Sequence, residues 1–162
     1  MNNLQLHIEA TRPEDAQAIL AITEQVGVFN AEEIATVDEL LVEYFGLGPA
    51  KSGYYFLTGR VGEQVVSFAC YGPRALTSGT FDFYWLATDK NFGGRGIGGA
   101  MAQRVVQEVK AMGGRLIIIE TSGRPDYAQT RHFHETHNYI REAIIVDFYA
   151  PGDDLVIYVQ RV

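Results

Sequence analysis

Five of the seven residues from Gly93 to Gly99 are glycine. They follow an apolar segment, Phe81 to Thr88, that ends in a short polar loop. They precede Ile97, Met101, Val105, Val109 and Met112, whose spacing predicts a helix with one buried face. The glycines therefore stand where a strand feeds a helix. Unpaired backbone N–H groups and the positive end of the helix dipole converge at such a junction. This makes an anion site, and a pyrophosphate is a common occupant. Glycine lets the chain turn sharply and lets a phosphate approach without meeting a Cβ.

Three phosphate ligands compete for such a loop. A P-loop requires Lys-Ser/Thr where this chain has Gly99-Ala100, so the groups that meet the terminal phosphates and magnesium are missing. Gly94, Gly96 and Gly99 satisfy the dinucleotide fingerprint G-x-G-x-x-G, and Glu120 follows about 20 residues later. Against that reading, the loop from Asp89 to Phe92 is long, and the chain after Glu120 has room for only one helix and a hairpin. The third ligand is the pyrophosphate of coenzyme A.

Here the sequence resembles the GCN5-related N-acetyltransferase (GNAT) family. The family motif Gln/Arg-x-x-Gly-x-Gly/Ala corresponds to Gly93-Gly94-Arg95-Gly96-Ile97-Gly98. The first position departs from the pattern, but in the family it contributes mainly through its backbone amide. The segment from Ile8 to Asp15 looks like the family's first strand and helix start. Thr130 to Phe133, with Asn138 and Tyr139, resembles its late "FYE…GF" signature with substitutions. The likeness spans nearly the whole chain.

The resemblance agrees with the chain's own pattern. Leu4 to Ala10 alternates as a strand, with Leu4, Leu6 and Ile8 on one side. Thr11 caps and Pro13 opens a helix that reaches Gln25. Asn30 caps a second helix with Ile34, Val37, Leu41, Tyr44 and Phe45 on one face, ended by Gly46, Gly48 and Pro49. Tyr54–Thr58 and Val65–Tyr71 read as strands around a turn at Gly59 to Glu63, and Phe81–Thr88 as a fourth. Leu116–Thr121 is almost wholly apolar and is predicted to be buried on both faces. A short helix over Asp126–His137 and a hairpin of Ile140–Tyr149 with Leu155–Val162 complete the chain. The expected architecture is α/β (α+β): residues 1–162 as one acetyl-CoA-binding domain, with a mixed, mostly antiparallel central sheet, helices on both faces, and the order β-α-α-β-β-β-α-β-α-β-β.

Composition narrows the partners. At 162 residues the chain is long enough for one well-buried core. A net charge of −7 gives no general attraction for nucleic acid or anionic membranes. Cys70 is the only cysteine, so no internal disulfide is possible, and it reads as a buried small hydrophobe. No signal-like start or bilayer-length apolar run is present, which makes the cytoplasm the expected compartment. His132, His134 and His137 do not converge as three ligands on a helix, so no metal is expected.

The resemblance implies direct transfer of acetyl from acetyl-CoA to a primary amine of a small molecule or amino acid. A protein N-terminus or lysine as acceptor, or a non-catalytic acyl-CoA sensor, are the alternatives. Gly93, Gly94, Arg95, Gly96, Ile97, Gly98 and Gly99 would cradle the pyrophosphate, with Arg95 either adding charge or simply solvated. The open edge at Leu86, Ala87 and Thr88, where the family's fourth and fifth strands part, would pair with the pantetheine arm. The N–H of Leu86 would meet the thioester oxygen. Tyr127, Thr130 and Phe133 would contact the cofactor, Tyr127 standing where the family has asparagine.

Asp82 lies 11 residues before Gly93, where one branch of the family carries its catalytic glutamate, and is the first candidate for the base. A carboxylate inside Phe81-Asp82-Phe83-Tyr84-Trp85 must be paired, face a cleft or take up a proton. Glu120 and Glu33 are the other carboxylates considered. His134 occupies the position of the family's tyrosine acid, with Tyr127 and Tyr139 nearby. Phe29, Tyr44 and Tyr71 are candidates to line the acceptor site, and the family likeness favours a homodimer.

Overall fold

The element order found is the one read from the sequence, with short additions. The computed structural model describes residues 5–162, so Leu4 lies outside the described residues. The strands are β1 (Leu6–Ala10), β2 (Tyr55–Val61), β3 (Gln64–Pro73), β4 (Thr80–Thr88), β5 (Leu116–Ser122), β6 (Ile140–Ala150) and β7 (Asp153–Arg161). The helices are α1 (Ala16–Gln25), α2 (Ala31–Leu47), the four-residue α3 (Pro49–Ser52), α4 (Ile97–Ala111) and α5 (Ala128–Thr136). The strands form a seven-stranded sheet in the order β1-β2-β3-β4-β5-β7-β6. Its β4–β5 pair is parallel, and β1–β2, β2–β3, β5–β7 and β6–β7 are antiparallel. The chain divides into two compact units, one running up to Gly72 and resuming over Trp85–Val105, the other comprising Pro73–Tyr84 and Val106–Val162.

In the first unit the helix starts follow from local hydrogen bonding. Asn30 Oδ1 accepts from Glu33 N–H at 2.9 Å while the Glu33 carboxylate accepts from Asn30 N–H at 2.7 Å. Two orphan donors at the start of α2 are thereby satisfied. Gly48, at φ +78, ends that helix. Thr11 does not cap α1. Its hydroxyl lies 2.7 Å from that of Thr58, and a 3-10 turn over Pro13–Asp15 leads into the helix with Arg12 N–H bonded to the Asp15 carboxylate. The core of this unit gathers Ile19, Ile22, Val37, Leu41, Phe56 and Phe68.

The β2–β3 turn is shorter than the glycine pattern suggests. Gly62 and Glu63 form it, with Gly62 at φ +59, and Gly59 belongs to β2. A Cβ on Gly59 would stand 2.9 Å from Met101 Sδ. That glycine therefore serves the close approach of α4 rather than a bend. Ile97, Met101 and Val105 of α4 are buried as their spacing requires.

In the second unit, Met112 falls past the end of α4 and is 40% exposed, contrary to the periodic reading, because the chain leaves the helix at Ala111. The strand β5 is fully enclosed on one side and only partly on the other. Ile117 and Ile119 are enclosed, Leu116 and Ile118 are half-buried, and Glu120 is exposed. Gly114 closes the loop before β5 under tight constraint. A Cβ there would lie 2.3 Å from Val109 Cγ1 and 2.8 Å from the Val109 carbonyl.

Candidate active site

The glycine loop belongs to the first unit and is held from behind. Asp89 N–H donates to the Val66 carbonyl at 2.8 Å, and the Asp89 carboxylate accepts from Asn91 N–H at 2.8 Å. Lys90 N–H donates to Gln25 Oε1 at 3.0 Å, tying the loop to α1. Beyond this anchor Gly93, Gly94, Arg95 and Gly96 are all exposed. Gly94 and Gly96 have φ of +69 and +78, the left-handed region that strains any residue with a Cβ. Ala100 N–H is the donor that bonds back to Gly96. The N–H groups of Ile97, Gly98 and Gly99 precede it, so helix geometry leaves them without an intrahelical acceptor. Arg95 keeps its guanidinium 5.3 Å from the centre of the Phe92 ring, which holds a positive charge on the loop.

The end of β4 lies in the same unit. Leu86 and Thr88 are half-buried and Ala87 is buried. Ser67 fixes this end, its hydroxyl donating to the Ala87 carbonyl at 2.8 Å and lying 3.0 Å from the Thr88 hydroxyl. Phe29 meets Trp85 edge-to-face at 5.2 Å, and both are half-buried. Tyr44 and Tyr71, proposed from sequence as acceptor-lining, are core residues at 9% and 2% exposure. Tyr44 donates to the Thr11 carbonyl, and Tyr71 stacks on Tyr55.

The second unit carries the ionisable candidates. Asp82 is 7% exposed and is paired. Arg74 Nε donates to both its oxygens at 2.9 and 3.0 Å, and the Tyr84 hydroxyl reaches it at 3.4 Å. The same guanidinium bridges to Glu120 at 3.0 Å, and the two carboxylates raise the Arg74 pKa above its ordinary value. Glu120, in contrast, is exposed. The parallel β4–β5 ladder runs from Thr80↔Leu116 to Asp82↔Ile118. Among the described residues it does not continue to Phe83 and Tyr84 opposite Ile119 and Glu120, so the two strands part just beyond Asp82. Arg74 was missed in the sequence. The signal was the unpaired charge of Asp82 among aromatics, which requires a cation nearby.

His134 is 7% exposed, packed against Tyr139 and Tyr158, with ring centroids at 6.0 and 5.6 Å. Its Nδ1 and the Tyr139 hydroxyl are buried without a hydrogen-bond partner. Burial, with the neighbouring His137 adding to it, pulls the His134 pKa down to about 4. The imidazole is therefore neutral near pH 7 and has no imidazolium proton to give. Burial also raises Tyr139, and Tyr158, which donates to Glu135 at 2.8 Å, is pushed up to about 12. Tyr127 is 8% exposed, whereas Thr130 and Phe133 are half-buried, Phe133 stacking on His137 at 4.1 Å. Among the described residues no group of three or more His, Cys, Asp or Glu is placed to hold a metal. No helix there is long and apolar enough to cross a membrane.

The profile of the Acetyltransferase (GNAT) family matches residues 21–139. The chain belongs to the GNAT family. It is accordingly an acyltransferase of the N-acetyltransferase kind. A GNAT-family protein from Desulfovibrio desulfuricans shares 36% identity, with 96% of this chain and 98% of that one covered and a TM-score of 0.93. YncA from Salmonella typhimurium, solved with its cofactor acetyl-CoA, is 16% identical over 96% of this chain and 93% of its own, with a TM-score of 0.77. The ribosomal-protein-S18-alanine N-acetyltransferase of Escherichia coli is 15% identical over 98% and 94%, with a TM-score of 0.77. The last two share the fold alone and do not select an acceptor. A comparison with curated proteins found no match.

Proposed function

We propose that this GNAT transferase moves acetyl from acetyl-CoA directly to the primary amine of a small molecule or amino acid. The observation that carries the cofactor half is the exposed glycine loop, with left-handed Gly94 and Gly96 just ahead of the first helical N–H groups, those of Ile97, Gly98 and Gly99, which helix geometry leaves without an intrahelical acceptor. Those amides and Arg95 hold the pyrophosphate. Leu86, Ala87 and Thr88 receive the pantetheine amides, with Ser67 keeping that strand end in place. Tyr127, Thr130 and Phe133 complete the cofactor contacts of this reading.

In the reaction, the amine nitrogen bonds to the acetyl carbon, the C–S bond breaks, and the sulfur leaves with the electron pair. The N–H of Leu86 stabilises the oxygen as it becomes negative, a contribution of about 3 kcal/mol for one such donor. The ammonium proton goes to a carboxylate. Asp82 was the sequence's first choice, but it is buried and Arg74 Nε bonds to both its oxygens. Glu120 is exposed, shares only one contact with that arginine, and is assigned the proton acceptor. His134, neutral and enclosed, serves as wall, and the thiolate departs without an imidazolium donor.

The experiment is acetyl-CoA turnover with a panel of small amines, amino acids and short peptides, read by thiol release and product mass. An acetylated small amine supports the proposal. Acetylation confined to peptides moves the acceptor to a protein terminus or lysine. Acetyl-CoA binding with no thiol release across the panel overturns catalysis in favour of sensing.

A further inference from the structure

Three buried side-chain polar atoms have no hydrogen-bond partner among the described residues: His134 Nδ1, Tyr139 Oη and Gln160 Oε1. Leaving such an atom unpaired is costly, so folded proteins rarely keep one. All three belong to the second unit.

The local fold gathers them. Asn138 closes α5 in the left-handed region, at φ +69, and Tyr139 N–H donates back to the His134 carbonyl at 3.1 Å. This helix ending lays the residue that follows the turn onto the last turn itself. Tyr139 is accordingly 3% exposed, and its ring meets that of His134 edge-to-face at 6.0 Å. From the sheet, Tyr158 packs on His134 at 5.6 Å. Gln160 lies two residues further along β7, so it shares that face. The pair Ile140↔Val159 sets Tyr139 beside Gln160 across the ladder. The other polar neighbours are already committed. The Tyr158 hydroxyl donates to Glu135 at 2.8 Å, and His137 Nδ1 lies 2.7 Å from the Phe133 carbonyl.

We propose that His134 Nδ1, Tyr139 Oη and Gln160 Oε1 together bind one buried water, and that this water holds the His134 hydrogen on Nε2. The donors and acceptors balance. Tyr139 donates to the water, and the water donates one hydrogen to Nδ1 and the other to Gln160. Three bonds are what a buried water typically makes, and they satisfy all three atoms at once. A nitrogen that accepts leaves the ring hydrogen on the other nitrogen. Tyr139 and Gln160 thus act on His134 through the water and are positioning residues. The acetyl-transfer reading, on which this last point rests, makes His134 a wall of the cofactor site. The water then decides that this wall carries its N–H at Nε2 and keeps the Nδ1 lone pair inside.

The test is nuclear magnetic resonance of the full chain labelled with nitrogen-15, at pH 7, without cofactor or amine. The parent is expected to carry the His134 hydrogen on Nε2 and to show a slowly exchanging water close to the Tyr139 and His134 rings. Tyr139→Phe and Gln160→Leu each remove one partner. Both are expected to lose the water signal and to shift the Nδ1 resonance, with an unchanged far-ultraviolet circular dichroism spectrum. A merely structural role for either residue would leave Nδ1 where it was. If a variant does not fold, the parent spectra decide the matter. A hydrogen on Nδ1, no slowly exchanging water, or a Tyr139 hydroxyl bonded directly to Gln160 overturns the proposal. Because no substrate is present, these outcomes are separate from those of the turnover experiment.

Discussion

Arg74 Nη2 lies 2.7 Å from Asp82 and 3.0 Å from Glu120, so one guanidinium holds a buried carboxylate and an exposed one together. The buried partner depends on it. Breaking a buried pair leaves an uncompensated charge, which costs up to several kcal/mol. The Arg74 side chain is 39% exposed, so solvent screens part of the loss. Arg74→Gln is expected to lower unfolding stability by about 2 kcal/mol at pH 7. Urea denaturation at pH 7 measures the loss. A variant as stable as the parent would mean that Asp82 is satisfied without the arginine.

The two carboxylates are separated by kinetics. Glu120→Gln is expected to lower kcat by about a hundredfold with acetyl-CoA affinity retained. Asp82→Asn should leave kcat nearly unchanged and act mainly on stability. The reverse pattern would return the base role to Asp82.

Gly114 tests the packing of the second unit without touching the chemistry. Its absent Cβ would overlap Val109 at 2.3 Å and press on the Val109 carbonyl at 2.8 Å and Phe81 at 3.0 Å. Backbone cannot swing aside as a side-chain tip does. Gly114→Ala is expected to cost about 3 kcal/mol, which lowers Tm by roughly 5–10 °C for a chain of this size. Gly59→Ala crowds the flexible Met101 side chain at 2.9 Å, with Leu6 and Ser67 side chains at ordinary contact distance and no backbone in the way, and should cost less. Calorimetry of the two variants side by side checks the ordering.

The fold was legible where local chemistry and periodicity agree. The Asn30–Glu33 box and the buried row Ile97, Met101, Val105 act over one or two turns, so the chain states them directly. The glycine loop was legible for the same reason, since left-handed Gly94 and Gly96 are a backbone demand that leaves a residue signature. What stayed hidden depends on distant partners. Gly59 looked like a turn because its reason, Met101, is 42 residues away. Arg74 gave no sign that it would clamp Asp82 and Glu120, and β5 looked enclosed because exposure is settled by what covers a strand.

His134 gives the protein an acid-sensitive term. Its folded pKa of about 4 lies below the ordinary 6.5. Between those values the unfolded chain binds a proton that the native state refuses. The stability contribution is full above pH 6.5 and is lost as the pH falls toward 4. The shift is equivalent to about 3 kcal/mol at most. Glu135, which favours the charged ring, and His137, which opposes it, both bear on its size. His134→Phe is expected to flatten the pH dependence of stability between pH 6.5 and 4. It should leave thiol release within about threefold of the parent if the ring is only a wall. A large fall in turnover would restore His134 to the acid role.

Gly96 separates conformation from bulk at the cofactor loop. No atom lies within 4 Å of where its Cβ would stand, yet φ is +78. Gly96→Ala therefore meets no clash and pays only for the left-handed backbone, about 1 kcal/mol or a little more. The loop relieves that strain by turning its amides away, so acetyl-CoA affinity is expected to fall roughly tenfold while Tm changes little. Asparagine tolerates the left-handed region better than alanine. Gly96→Asn should thus retain more affinity than Gly96→Ala despite its larger side chain. Isothermal titration with acetyl-CoA decides between the two. If asparagine binds worse than alanine, the glycine is there to make room for the phosphates, and backbone conformation is the lesser requirement.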